Sequence, residues 1–231
     1  MATSDITTAF KRAAATRALD FVQPGMKLGL GTGSTADLFL ELLAHRVRDG
    51  MKIIGAPTSD RTAQRSRMLG IPVADLDDLK PLDLVVDGAD EADSNLALIK
   101  GGGGALLREK IVAQNSSKLV IIADSGKFVS KLGTHSLLPI EVVQFAHESQ
   151  EKFLRSLGTI PTLRRATDGA PFVTDNGNFI YDCRFANGID DAHELERTLK
   201  RRAGIVETGL FLGIAAVAII ADENTVEIRT R

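Results

Sequence analysis

Lys100, a run of four glycines at 101–104 and Glu109 stand within one short stretch of the chain. Glycine has no Cβ, so a ligand can approach the backbone closely and φ can turn positive. Open amides at the start of a helix favour anions. A cation, a patch of such amides and a carboxylate suit a reaction that passes through an anionic intermediate. On a helix that follows the glycines, Glu109 shares a face with Ala105 and Val112. A carboxylate flanked by apolar groups loses hydration and accepts a proton more readily. Arg108 and Lys110 either oppose that effect or project into solvent; their spacing fits both. Taken alone, the stretch also reads as a flexible loop before a solvated helix.

Two other segments have chemical potential. Residues 29–36 read Gly-Leu-Gly-Thr-Gly-Ser-Thr-Ala, a glycine-rich turn of the kind that cradles phosphate with amides and hydroxyls. Gly31, Gly33 and Ala36 fit a relaxed dinucleotide fingerprint. However, the next strand ends Gly55-Ala56-Pro57-Thr58, without the acidic residue that holds a ribose. No nucleotide P-loop pattern occurs, so a single phosphate monoester suits the turn better. The alternative is a tight packing turn. Asp87-Gly88-Ala89-Asp90-Glu91-Ala92-Asp93 closes an apolar strand, where ligands of parallel sheets bind. Its carboxylates could hold sugar hydroxyls, move protons or coordinate Mg²⁺. Gly88-Ala89 favours a tight, buried turn, with Glu91 and Asp93 assigned to a solvated acidic turn.

The elements that must position these groups follow from periodicity. A helix with Phe10, Ala14 and Phe21 on one face stops at Pro24-Gly25. Apolar strands are predicted at 27–30, 51–56, 82–86 and 119–123. They alternate with helices after residue 35 (Leu38, Leu42 and Leu43 on the apolar side), at 60–69 and at 105–114. That alternation predicts a parallel sheet covered on both faces. After about residue 138 the pattern changes to a strand at 140–145, a helix at 147–157, a hairpin over 172–181 and a helix at 192–202. Asn176-Gly177 supplies the signal for a type I′ turn. Apolar residues 215–220 are expected to return to the first sheet. The reading is an α/β, Rossmann-like domain over 1–137 and 206–231, with a small α+β insertion over 138–205.

The chain has 231 residues, enough for a substantial core, and a formal charge of −2, which gives no drive toward nucleic acid or an anionic membrane. Trp is absent and Tyr181 is the only tyrosine, so base-stacking surfaces are scarce. Cys183 is alone and cannot form an internal disulfide. With His45, His135, His147 and His193 well separated, no metal is expected. The first residues lack the pattern of a signal peptide, and the apolar stretch at 205–220 is interrupted by Glu207 and glycines. A cytoplasmic protein is expected.

In motif and order the chain resembles the A-type ribose-5-phosphate isomerases. The likeness rests on Gly31-Thr32-Gly33-Ser34-Thr35, Asp87-Gly88-Ala89-Asp90-Glu91, and Lys100-Gly101-Gly102-Gly103 with Glu109. It extends to Asp124-Ser125-Gly126-Lys127, Thr174-Asp175-Asn176-Gly177-Asn178 and Glu207-Thr208-Gly209-Leu210-Phe211. The family often has Ser where this chain has Gly126. The resemblance implies interconversion of ribose 5-phosphate and ribulose 5-phosphate, without a cofactor, by a homodimer or dimer of dimers. It implies Glu109 as base, Lys100 with the 101–103 amides at the oxyanion, and Asp87 in ring opening. Gly88 and Ala89 would line the sugar site, with Asp90 and Lys127 on hydroxyls. Lys11, Thr32, Gly33, Ser34 and Thr35 would take the phosphate. Two other classes share the sugar-phosphate chemistry. Lys100, the glycines and Glu109 argue against a sugar-phosphate deaminase or lactonase. A transcriptional sugar-phosphate sensor would need a DNA-binding segment that the sequence lacks.

Overall fold

The computed structural model describes residues 3–231. In chain order its elements are α1 (Thr3–Ala18), β1 (Lys27–Leu30), α2 (Ser34–Arg48), β2 (Ile54–Pro57), α3 (Asp60–Met68), α4 (Leu76–Leu79), β3 (Leu84–Asp87), β4 (Glu91–Ala92), β5 (Leu98–Ile99), α5 (Leu106–Gln114), β6 (Leu119–Asp124), β7 (Leu138–Val142), α6 (His147–Ser156), β8 (Ile160–Leu163), β9 (Phe179–Arg184), α7 (Ala192–Lys200), β10 (Ile205–Thr208), β11 (Leu210–Phe211), β12 (Ala215–Ala221) and β13 (Val226–Thr230). They form two compact units. One comprises Met1–Ala89, Arg108–Phe128 and Gly213–Arg231; the other comprises Asp90–Leu107 and Val129–Leu212. The second unit therefore reaches beyond 138–205 at both ends. Among the described residues, no helix is long and apolar enough to cross a membrane.

The first unit is built on a six-stranded sheet in the order β13-β12-β6-β3-β1-β2. All neighbours run parallel except the edge pair β12–β13. Every residue of β3 and of β6 is buried, so these strands are apolar without alternation, as expected when both faces are covered. Leu28, Leu30, Val86 and Ile122 belong to one core with Ala14 and Ala18 of α1 and Phe39, Leu40 and Leu43 of α2. The opposite face takes α5. A Cβ on Gly29 would stand 2.4 Å from Val85 and 2.7 Å from Val112, so the strand and helix approach closely only because residue 29 has no side chain. Residues 215–221 do return to this sheet, beside β6. Strand β13 was not anticipated. It is an exposed edge whose Glu227–Arg229 pair breaks any apolar run.

The second unit holds a four-stranded antiparallel sheet, β10-β7-β9-β8, and a three-stranded one, β11-β5-β4. Leu138, Ile140, Val142, Tyr181 and Cys183 form its core with Leu154 of α6 and Leu199 of α7. Of the hairpin expected over 172–181 only the tip is closed, where the Thr174 amide donates to Asn178 O and the Gly177 amide to Thr174 O, both at 2.9 Å. Strand β9 pairs with β7 and β8, and residues 172–178 are a loop. A type I′ turn needs positive φ at two residues, but only Gly177 has it, at +77°. The loop is organised by buried Glu141 instead. Its Oε1 accepts hydrogen bonds from the Thr174 hydroxyl and the Asn178 amide, both at 2.9 Å.

Candidate active site

Strands β1 and β3 end side by side. Asp87 terminates β3 and is 1 % exposed. Its Oδ1 accepts from the Thr32 amide at 3.1 Å and the Gly88 amide at 2.8 Å. The Thr32 hydroxyl lies 2.7–2.9 Å from the hydroxyls of Thr58, Ser59 and Thr62. That cluster is anchored in turn on the carbonyls of Leu30 and Gly31. Thr32 therefore frames the turn with both its amide and its hydroxyl. None of Thr58, Ser59 and Thr62 was foreseen; a Thr-Ser pair after a strand reads as an ordinary helix start, and Ser59 does cap α3.

The turn then leads into α2. Gly33 is its N-cap, with φ at +125° and open space where a Cβ would lie. Ser34 is exposed and Thr35 buried, and the Lys11 ammonium donates to Ser34 Oγ at 3.1 Å. A lysine at the amino end of a fifteen-residue helix is a favourable setting for an anion.

Glu109 sits in the first turn of α5 and is 3 % exposed. Val112, one turn further on, is also buried. The two basic neighbours take different courses. Arg108 pairs with Asp60 at 2.7 Å, while Lys110 is buried at 3 % exposure rather than solvated. Lys127 is half-buried in a 3-10 turn, Ser125–Lys127, that Asp124 caps by accepting from the Gly126 amide. A Cβ on Gly126 would meet Asp124 Oδ1 at 3.0 Å, a contact relieved by a small shift of that side chain.

In the second unit, Lys100 follows β5 and is 3 % exposed. Its amide donates to Gly209 O at 2.9 Å, and its ammonium lies 5.5 Å from the centre of the Phe211 ring. Gly209 permits this approach, because a Cβ there would stand 2.4 Å from Lys100 O. The glycine run turns sharply, with φ of +101° at Gly101 and +83° at Gly104. Gly102 is exposed, and its amide donates to Asp90 Oδ2 at 2.8 Å. Gly103 is exposed beside it.

Glu91 does not fit the expected solvated turn. It is fully buried and accepts from the amides of Gly133 and His135, both at 2.6 Å, and of Ser136. Three charge-assisted bonds explain how a carboxylate tolerates that burial. Asp93, by contrast, does hold a local turn, through the amides of Asn95 and Ala97. Among the described residues, no three or more His, Cys, Asp or Glu side chains gather as metal ligands would.

Dry carboxylates stand at the end of β3 and in the first turn of α5 in the first unit, and a buried lysine precedes the glycine turn in the second; carboxylates of this kind can move protons, and a lysine can meet developing negative charge. Comparison with known proteins agrees. The family model for ribose 5-phosphate isomerase A (phosphoriboisomerase A) matches residues 54–225. The curated ribose-5-phosphate isomerase A of Parvibaculum lavamentivorans is 50% identical over 224 residues, covering 94% of this chain and 96% of the relative. That of Bacillus mycoides is 48% identical, covering 94% and 97%. A D-ribose-5-phosphate isomerase solved in complex with phospho-erythronic acid superposes with a TM-score of 0.94 at 37% identity, covering 97% of this chain and 99% of that one. The Methanocaldococcus jannaschii enzyme gives 0.92 at 36%, covering 96% and 99%. The chain belongs to the ribose 5-phosphate isomerase A family.

Proposed function

We propose that this chain interconverts D-ribose 5-phosphate and D-ribulose 5-phosphate through an enediolate, with Glu109 as the base. The observation that carries the reading is Glu109 itself: a carboxylate 3 % exposed in the first turn of the helix that follows the glycine run. Aldose–ketose isomerisation moves one carbon-bound proton from C2 to C1 and one hydroxyl proton from O2 to O1, and a single base that reaches both carbons serves the first transfer. Lys100, with the amides of the Gly101 to Gly103 loop, meets the charge that develops on the oxygen, the Gly102 amide serving by holding Asp90. Asp87 transfers the proton that opens the sugar ring, beside Gly88 and Ala89. Asp90 and Lys127 hold hydroxyls. Lys11, Gly33, Ser34 and Thr35 take the phosphate on the frame that Thr32 braces. The net change is an internal shift of hydrogen and needs no redox cofactor, and Lys100 supplies the positive charge that a metal would otherwise give.

The phospho-erythronic acid bound by the solved relative supports the anionic intermediate, since its carboxylate resembles an enediolate in charge and planarity. Family resemblance supports a homodimer or dimer of dimers acting in the cytoplasm, in the non-oxidative pentose phosphate pathway. A coupled assay tests the reading, with ribose 5-phosphate, allose 6-phosphate and glucosamine 6-phosphate offered in parallel. Turnover of ribose 5-phosphate well above the other two is expected. Preference for glucosamine 6-phosphate with ammonia release would move the chain to the deaminases.

A further inference from the structure

The glycine run of the second unit is gripped by a cation that the reaction above does not use. Arg164 follows β8, and its side chain is 14% exposed. Its Nε and Nη2 donate to Asp182 Oδ2 and Oδ1 at 2.9 and 2.5 Å, a bidentate pair with neighbouring strand β9. Its Nη1 donates to Gly101 O at 3.0 Å and to Gly102 O at 3.1 Å. Phe172 completes the clamp. Its ring lies 5.8 Å from the guanidinium carbon and fills the space a Cβ on Gly104 would need, at 2.6 Å. The planar fork of arginine allows one side chain to bind a carboxylate and two successive carbonyls together; a lysine ammonium cannot.

Those carbonyls belong to the peptides whose N–H groups are those of Gly102 and Gly103. A guanidinium on a peptide oxygen draws density from the amide nitrogen and makes its N–H a stronger donor. The Gly102 amide is directed to Asp90. The Gly103 amide lies in the next peptide, at an exposed residue. We propose that Arg164, held by Asp182, is a positioning residue for the isomerisation, fixing and polarising the amides of Gly102 and Gly103. This rests on the reading of Lys100 and residues 101–103 as the anion-stabilising loop. Arg164 acts through peptide bonds and Asp90, not on the sugar.

The test compares Arg164→Gln, Arg164→Lys and Asp182→Asn with the unaltered chain. Readouts are kcat, KM for ribose 5-phosphate, inhibition by phospho-erythronate and the thermal midpoint. Removing a direct oxyanion donor costs roughly 10²–10³-fold in turnover, so an indirect one should cost about tenfold. Arg164→Gln is expected to lower kcat by that amount, leave KM within about twofold, and weaken phospho-erythronate in step with kcat. Arg164→Lys should recover part of the loss, and Asp182→Asn should fall between. Unchanged kcat in Arg164→Gln overturns the proposal. So does a loss that follows only the folded fraction, with phospho-erythronate affinity intact. If the Gln variant does not fold, the Lys and Asn variants carry the same expectation and the same refutation. Glu109→Gln, run beside them, separates the two ideas. An active Glu109→Gln protein sinks the proposed base, whereas an inactive one beside a normal Arg164→Gln protein sinks only the positioning role.

Discussion

Gly31 and Asp87 share one small volume: a Cβ on residue 31 would stand 2.2 Å from Asp87 Oδ1 and 2.7 Å from its Cα. The glycine of the turn after β1 is therefore a spacer for the carboxylate of the next strand over. Gly33, two residues on, has the opposite reason to be glycine, since space is open there but φ is +125°.

The two substitutions should fail differently. Gly31→Ala must push Asp87 aside, and a displacement of about 1 Å at a reacting group can cost about 10²-fold in turnover. Gly33→Ala meets no protein atoms; it carries backbone strain of about 1–3 kcal/mol and sets a methyl group where the phosphate is proposed to bind, so it should lower stability and raise KM rather than displace Asp87. Steady-state kinetics with parallel thermal melts distinguish them. Native turnover in Gly31→Ala would show that the position of Asp87 does not matter.

Lys11 and Ser34 are joined at the start of α2, so phosphate affinity should depend on both ends of that contact. Lys11→Ala and Ser34→Ala, and Thr35→Ala in the same turn, are each expected to raise KM for ribose 5-phosphate several-fold to tens-fold, with kcat much less changed. A hydrogen bond to a charged group contributes roughly 1.5–3 kcal/mol. Free ribose should be a very poor substrate. Comparable turnover of ribose and ribose 5-phosphate would refute the phosphate assignment.

Burial pushes the Cys183 thiol up to about 12, and burial followed by the charges of Glu151 and Glu148 raises the Tyr181 hydroxyl to about 12. Both groups bind protons longer when folded than when unfolded. Their contribution is complete below about pH 9, where both states are protonated, and is lost as pH rises toward 12. Thermal midpoints should therefore fall between pH 9 and 11, and native Cys183 should resist a thiol reagent at pH 8 that titrates it in denaturant. A flat midpoint across that range, or rapid native labelling, would contradict the burial argument.

What the residues disclosed in advance depended on how locally each feature is encoded. Strands such as Leu119–Asp124 are buried on both faces, so their apolar runs stand out unaided. Lys100, the glycines and Glu109 are legible because one loop and the helix after it carry them. Arg164 and Asp182 were not, because they meet only through the pairing of β8 with β9. Glu91 was misjudged for a related reason. Its acidic neighbours suggest solvent, while the amides that satisfy it come from residues 133–136, far along the chain. A turn does form around Asn176-Gly177, closed by Thr174 and Asn178, but it is not the expected type I′, because only Gly177 takes a positive φ, and Glu141, on another strand, holds the side chains around it.

Glu109 offers the sharpest test, because its amide analogue is almost isosteric and changes little but the ability to accept a proton. Glu109→Gln should keep the fold and bind ribose 5-phosphate, which a melt and a titration would verify. It should lose nearly all turnover, since general-base catalysis alone contributes about 10²–10⁴-fold. In heavy water, the unaltered chain should place solvent deuterium in the sugar, because a carboxylate can exchange its proton between abstraction and return. Turnover within roughly tenfold of native in the Gln variant would move the base elsewhere, with Asp87 next in line. If the native reaction incorporated no deuterium at all, direct hydride transfer would return as an alternative to the enediolate. Incorporation in the native reaction, together with its loss in Glu109→Gln, ties the proton transfer to this carboxylate.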